Sequence, residues 1–190
     1  MTTLPESNLR PVEEAEATGE VAQMYDNIKR DLNIPFVPYM MTTLAISPAA
    51  GAAGWGLYGN FVRNTTLPRA LQAMILYTVA ESRNCEYCAA QNEFACRTLG
   101  VDDETLRALT EDLESVSPER IQAIIAFALK VSHSPLDVNA ADYERLRGQG
   151  ITEEEIVEIA VNAAMATFFD ILADSLKVAV EPVITEGLGR

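Results

Sequence analysis

The chain has 190 residues, enough for one domain or two small helical lobes, and 48% of them are apolar, enough to bury a core. Lysine and arginine total 14 against 28 aspartates and glutamates, a formal charge of -14. Such a surface repels a phosphate backbone and an anionic bilayer, so neither nucleic acid nor a membrane surface is an expected partner.

Met1 to Arg10 carry no apolar core and no cleavage-site pattern, so no signal peptide is expected and the chain reads as cytoplasmic. Period-two alternation is missing throughout, and the pattern predicts an all-α fold. Val21, Met24, Tyr25, Ile28 and Leu32 share one face of a first helix. Asn33 to Pro38 then breaks it with two prolines. Ser47-Pro48 reads as an N-cap followed by proline at the first helical position. The helix after it carries Gly51, Gly54, Gly56 and Gly59, which predicts close packing or a local break. Trp55 and Tyr58 in that stretch read as core or interface residues. Pro68 opens a helix to about Ser82, with Leu71, Met74, Ile75, Thr78 and Val79 as its apolar stripe.

Asn84 is expected to cap a helix that begins at Cys85 and ends at Gly100. Asp102 caps a short helix through Leu113, Ser117-Pro118 opens one to about Ser132, and Asn139 opens one ending near Gly148. Thr152 and Glu155 form a capping box, with Ile151 and Ile156 as its hydrophobic staple. The helix that follows is apolar on nearly every side, from Ile156 to Leu176, so it needs cover all round, which a chain of this size can supply by itself and a homo-oligomer supplies more easily. Glu158, Asn162, Asp170, Asp174 and Lys177 interrupt that run and argue against a membrane span. The tail after Pro182 reads as a loosely ordered arm. Together these elements predict a single helical domain: an N-terminal helical arm to about residue 66, a dithiol core over about 67–132, and a helical remainder.

The reactive feature is Cys85-Glu86-Tyr87-Cys88. Two thiols at this spacing on a helix start can close a small disulfide, and the helix N–H groups favour thiolate. The same spacing serves zinc sites and inert cores. Only Cys85, Cys88, Cys96 and His133 offer soft ligands, and His133 has no partner at metal spacing, so no metal and no cofactor is expected. Cys96 reads as a small buried residue. Glu81 and Glu93, near the pair in sequence, read either as solvated acids or as proton acceptors. Tyr87 reads as a pocket wall or a packing residue. His133 reads as a partner for helix-end carbonyls.

Leu67-Pro68-Arg69-Ala70-Leu71-Gln72-Ala73-Met74-Ile75-Leu76, Val79-Ala80 and Asn84-Cys85-Glu86-Tyr87-Cys88 resemble the core of the alkylhydroperoxidase D and carboxymuconolactone decarboxylase-like superfamily. Leu146 to Ile156 and Phe168 to Leu176 are similar to its second half. Val21 to Tyr25 and Pro35-Phe36-Val37-Pro38 resemble its longer, peroxidase-related branch. The resemblance implies an all-helical fold assembled as trimers or hexamers, a hydroperoxide substrate and a thiol reductant. It implies that Cys88 attacks the peroxide and Cys85 resolves the sulfenic acid as a disulfide. The helix-dipole argument alone favours Cys85, nearer the helix start.

The chain departs from that pattern where protons move. The family's relay histidine, four residues after the second cysteine, is here Asn92, and its glutamate, twelve before the first, is here Ala73. Asparagine takes no proton near neutral pH, and alanine makes no hydrogen bond. Asp170-Ile171 stands where the family pattern usually has Asn-Arg. The sequence therefore supports a thiol peroxidase or disulfide oxidoreductase resting on Cys88 and Cys85, with Glu81, Tyr87 and Asn92 as candidate supporting residues. The alternative is a non-catalytic oligomeric helical protein or small-ligand binder of the same fold. A lactone-decarboxylase role is a weaker third, because the acid–base residues it needs are not apparent.

Overall fold

The computed structural model describes residues 9–190, so the reading of the extreme N-terminus lies largely outside the described residues. Those residues form α-helices joined by short loops and three single turns of 3-10 helix, with no strand among them. The helices are α1 (Gly19–Leu32), α2 (Tyr39–Leu44), α3 (Pro48–Asn64), α4 (Arg69–Ser82), α5 (Glu86–Thr98), α6 (Asp103–Glu111), α7 (Glu119–His133), α8 (Ala140–Gly148), α9 (Glu153–Leu176) and α10 (Pro182–Gly187).

Most of the punctuation acts as the sequence suggests. Ser47 accepts a hydrogen bond from the Ala50 amide, and Asp102 accepts one from Thr105 at 2.7 Å. Asn139 and Thr152 both head reciprocal capping boxes, with Ile151 and Ile156 buried beside the second. The glycine-rich α3 is unbroken. A methyl group on Gly54 would sit 2.8 Å from the Leu44 side chain, and one on Gly51 3.3 Å from the Ala45 backbone, so close approach of α2 is what keeps these positions small.

α4 is the central element, with every residue from Leu71 to Ala80 buried. It packs against α5, α7 and α9. Its buried Gln72 carbonyl accepts a 3.2 Å hydrogen bond from Asn162 of α9. The stripe expected on one face is thus only part of the story, because α4 is enclosed all round.

Two expectations need correction. Asn84 does not cap α5. It adopts the left-handed conformation at φ 57°, and the amides of Asn84 and Cys85 bond back to the carbonyls of Glu81 and Ala80. This paired pattern closes the C-terminus of α4, and asparagine tolerates the conformation because of its short polar side chain. Cys85 is the N-cap of α5. The chain after Pro182 is no loose arm: it forms α10, packs on α5, buries Ile184, and ties Arg190 to Glu93 at 2.5 Å. Within one chain α9 is covered on its inner side only, which leaves open the cover that the sequence calls for on the other side. Val157, Val161, Phe168 and Ile171 stay exposed along its outer side. α9 is long and apolar enough by composition to cross a bilayer, yet its inner side lies in the protein core.

Candidate active site

The tight α4–α5 turn sets Cys85 at the mouth of the helical hairpin and Cys88 one turn into α5. Both are free thiols and both are buried. They are not equivalent. Cys85 is wholly enclosed, its sulfur 3.9 Å from the Asp170 main-chain oxygen. Cys88 lines a cavity of about 220 Å³. Met40, Met41, Trp55, Tyr58, Leu76 and Phe169 supply much of its wall, so the surroundings of the sulfur are largely apolar and aromatic.

The carboxylate beside this pair comes from α9. One carboxylate oxygen of Asp170 and the two sulfurs all lie within 4.8 Å of one another. Asp170 also lines the cavity and is 1% exposed. Neither of its oxygens accepts a hydrogen bond of good geometry, and the nearest cation is the Arg83 Nε at 3.4 Å. Burial pushes the Asp170 carboxyl up to about 6, against the downward pull of the two thiols and Arg83. As metal donors the three groups are one short of the four ligands of a structural zinc site.

Easy ionisation of the sulfur, expected from the helix start, is not what the surroundings favour for Cys88. Its thiol is held well above the ordinary range, first by a hydrogen bond to Cys85, then by burial, then by the negative charge of its neighbours. The amide groups at the start of α5 do not overcome these effects.

The remaining candidates are distributed as follows. Asn92 lines the cavity, but its amide is engaged with the Cys88 carbonyl at 2.7 Å. Tyr87 lines the cavity and is buried. Its hydroxyl accepts from the Met40 amide at 3.0 Å and donates to Glu181 at 3.2 Å. Glu81 is half-buried at the end of α4 and is not the carboxylate that meets the sulfurs. Glu93 is no solvated acid: it is buried and paired with Arg97 and Arg190. His133 sits 2.8 Å from the Ser82 hydroxyl. Cys96 is fully buried, and burial pushes its thiol up to about 12. Asp170 and Glu181 are the two residues that reading the sequence for sites overlooks. The available signal was a lone acid inside the apolar run Phe168-Phe169-Asp170-Ile171-Leu172.

This chain, with its α4–α5 hairpin closed by the long helix α9, has the alkylhydroperoxidase D-like fold. No protein-family model matches the sequence, and no curated protein matches it. Solved structures do. An uncharacterized peroxidase-related protein from Ralstonia eutropha JMP134, described as an alkylhydroperoxidase AhpD core, superimposes with TM-score 0.84 at 23% identity over 95% of both chains. A peroxidase-related protein from Silicibacter sp. TM1040 gives 0.82 at 20% identity over 97% of both. The debrominase Bmp8 gives 0.80 at 20% identity, again over 97% of both chains. A cysteine-to-alanine variant of that debrominase is known in complex with 2,3,4-tribromopyrrole.

Proposed function

We propose that the protein is a dithiol oxidoreductase that reduces small organic hydroperoxides, with Cys88 as the attacking thiol, Cys85 as the resolving thiol and Asp170 as the proton carrier. The observation that carries this reading is the arrangement of the three groups. Cys88 and Asp170 share the wall of one apolar cavity, and Cys85 lies directly behind them. Asp170 takes the place of the family's missing histidine and glutamate.

The chemistry follows from that arrangement. Asp170, with its carboxyl at about 6, is mainly ionised at neutral pH. It accepts the Cys88 proton, and in doing so removes the negative charge that opposed the thiolate. The two groups act as a pair that shares one proton. The sulfur attacks the terminal peroxide oxygen. An S–O bond forms as the O–O bond breaks, and the departing alkoxide takes the proton from Asp170 and leaves as the alcohol. The Cys85 sulfur then displaces the oxygen of the sulfenic acid. The S–S bond forms, and that oxygen leaves as water with the Cys85 proton. Two thiols are oxidised and one hydroperoxide is reduced to alcohol plus water. An external thiol reductant restores the pair.

A stoichiometric test counts free thiols before and after one equivalent of cumene hydroperoxide. The expected result is loss of two thiols per chain in the native protein and no disulfide in Cys88→Ser. Three retained thiols and unchanged peroxide would remove the reading and leave a small-ligand binder of the same fold.

The aromatic cavity and the likeness to a debrominase favour one second reading. In it the same electron pair goes to a carbon–bromine bond, the products being the hydrogen-substituted ring, bromide and the disulfide. Bromide release from a brominated pyrrole in place of alcohol formation from the peroxide separates the two.

The working form is proposed to be a soluble, cytoplasmic homo-oligomer, a trimer or hexamer, with the exposed Val157, Val161, Phe168 and Ile171 of α9 at a subunit contact. Phe168→Glu is expected to lower the mass measured by light scattering. An unchanged mass would place the contact elsewhere.

A further inference from the structure

The cavity has one cationic side chain on its wall, Arg69, the first residue of α4. It is exposed, whereas Cys88 and Asp170 are buried, so it stands at the solvent end of the cavity and the sulfur at the inner end. Arg69 has no carboxylate partner among the described residues. Its one hydrogen bond is a long one, 3.4 Å, to the Val62 carbonyl. The first turn of α4 carries no acid either, so the partial positive charge of the helix end adds to the guanidinium. Beside it, Tyr58 joins the mouth to the aromatic wall, packing edge-on against Phe169 with ring centroids 5.9 Å apart.

We infer that the preferred substrate is an amphipathic aromatic anion: a one- or two-ring apolar body that enters the cavity toward Cys88, carrying a carboxylate or similar acid that Arg69 holds at the mouth. Size, wall and charge each limit the choice. An engineered apolar cavity of about 150 Å³ takes benzene, and drug-sized ligands need about 300 Å³ or more. A 220 Å³ cavity falls between them. The aromatic wall favours a flat ring by edge and face contacts. The guanidinium fork, with donors to spare, fits a carboxylate at two points. The net charge of -14 repels anions at long range, so the one cation on the cavity wall is a local exception to that field.

This inference rests on the cavity being the substrate site of the dithiol, and its test needs no turnover. Trp55 is the sole tryptophan and lines the cavity, so its fluorescence reports occupancy. The probes are 4-isopropylbenzoate and the uncharged 4-isopropylbenzyl alcohol, titrated into the reduced protein and checked by calorimetry. The carboxylate is expected to bind about fivefold more tightly than the alcohol, the span of an exposed ion pair with good geometry. Raising the salt concentration narrows that gap. Arg69→Gln closes it, and Arg69→Lys restores part of it. Equal affinity for the two probes in the native protein, a gap that survives in Arg69→Gln, or no binding of either probe at millimolar concentration would each overturn the inference. A protein that binds the carboxylate selectively yet keeps its thiols in the presence of peroxide would retain this specificity and lose the redox reading.

Discussion

Two buried carboxylates flank the dithiol helix and are treated in opposite ways. Glu181, at the start of the C-terminal segment, is 2% exposed and fully engaged. It accepts the Tyr39 amide at 2.5 Å and the Tyr87 hydroxyl at 3.2 Å, and Gln91 donates to its other oxygen. Asp170, on the other side, is as deeply buried and has no well-formed hydrogen bond. Burial raises both carboxyls and outweighs the opposing groups at each; around Glu181 those groups are backbone and side-chain hydrogen-bond donors, whereas Asp170 has an arginine at 3.4 Å and two thiols. A satisfied buried acid fixes structure, and here it clamps the C-terminal segment to α2 and α5. An unsatisfied one is held ready to exchange a proton.

The contrast breaks most visibly at the sulfur. Cys88→Ser is expected to abolish peroxide consumption, since the serine hydroxyl forms no sulfenic acid. A ferrous-oxidation peroxide assay decides it. Next comes the proton. Asp170→Asn is expected to slow single-turnover disulfide formation by about 10²-fold, at the low end of general-base effects. Glu181→Gln, which keeps most of the local hydrogen-bonding shape, should change that rate less than threefold by the same stopped-flow measurement, on the order expected for a group outside the proton path. Equal losses in both variants would erase the distinction between the two acids.

The pH dependence sharpens it. Asp170 must be ionised to accept the Cys88 proton, so the rate should climb as pH rises through about 6 and be about tenfold lower at pH 5 than on the plateau. Stability runs the other way for this residue. Its carboxyl stands at about 6 in the folded chain against an ordinary 3.8, so the fold takes up a proton as pH falls between those values and gains stability there. At pH 7.5 the buried charge is therefore a cost. Asp170→Asn should raise the unfolding free energy by about 1 kcal/mol in urea melts, while Glu181→Ala should lower it by about 2–3 kcal/mol by stranding buried donors. These opposite signs are the most specific effect predicted.

Much of this molecule was legible in its sequence. The helix start at Asn139, the capping box at Thr152, the Ser47 cap and the Gly100 terminus were readable because a cap is a contact between residues only a few positions apart. The Cys85–Cys88 pair was readable for the same reason. Asn84 was misread because one residue type both caps helix starts and ends helices in the left-handed conformation, and the choice depended on the Cys85 amide reaching back to Ala80. The tail after Pro182 was misread because its order comes from partners far away, Ile184 in the core and Arg190 on Glu93.

Sequence alone thus determined an all-helical chain, the places where its helices begin and end, and a dithiol at the start of one of them. Local hydrogen bonding and side-chain periodicity act over a few residues, and a linear text records them. Only the tertiary structure decided which carboxylate would face the sulfurs, which cysteine would open on the cavity, and which arginine would stand unpaired at its mouth. Asp170 lies 82 positions after Cys88. Its burial and proton affinity are properties of a space enclosed by five or more separated segments, and no stretch of the chain contains that space.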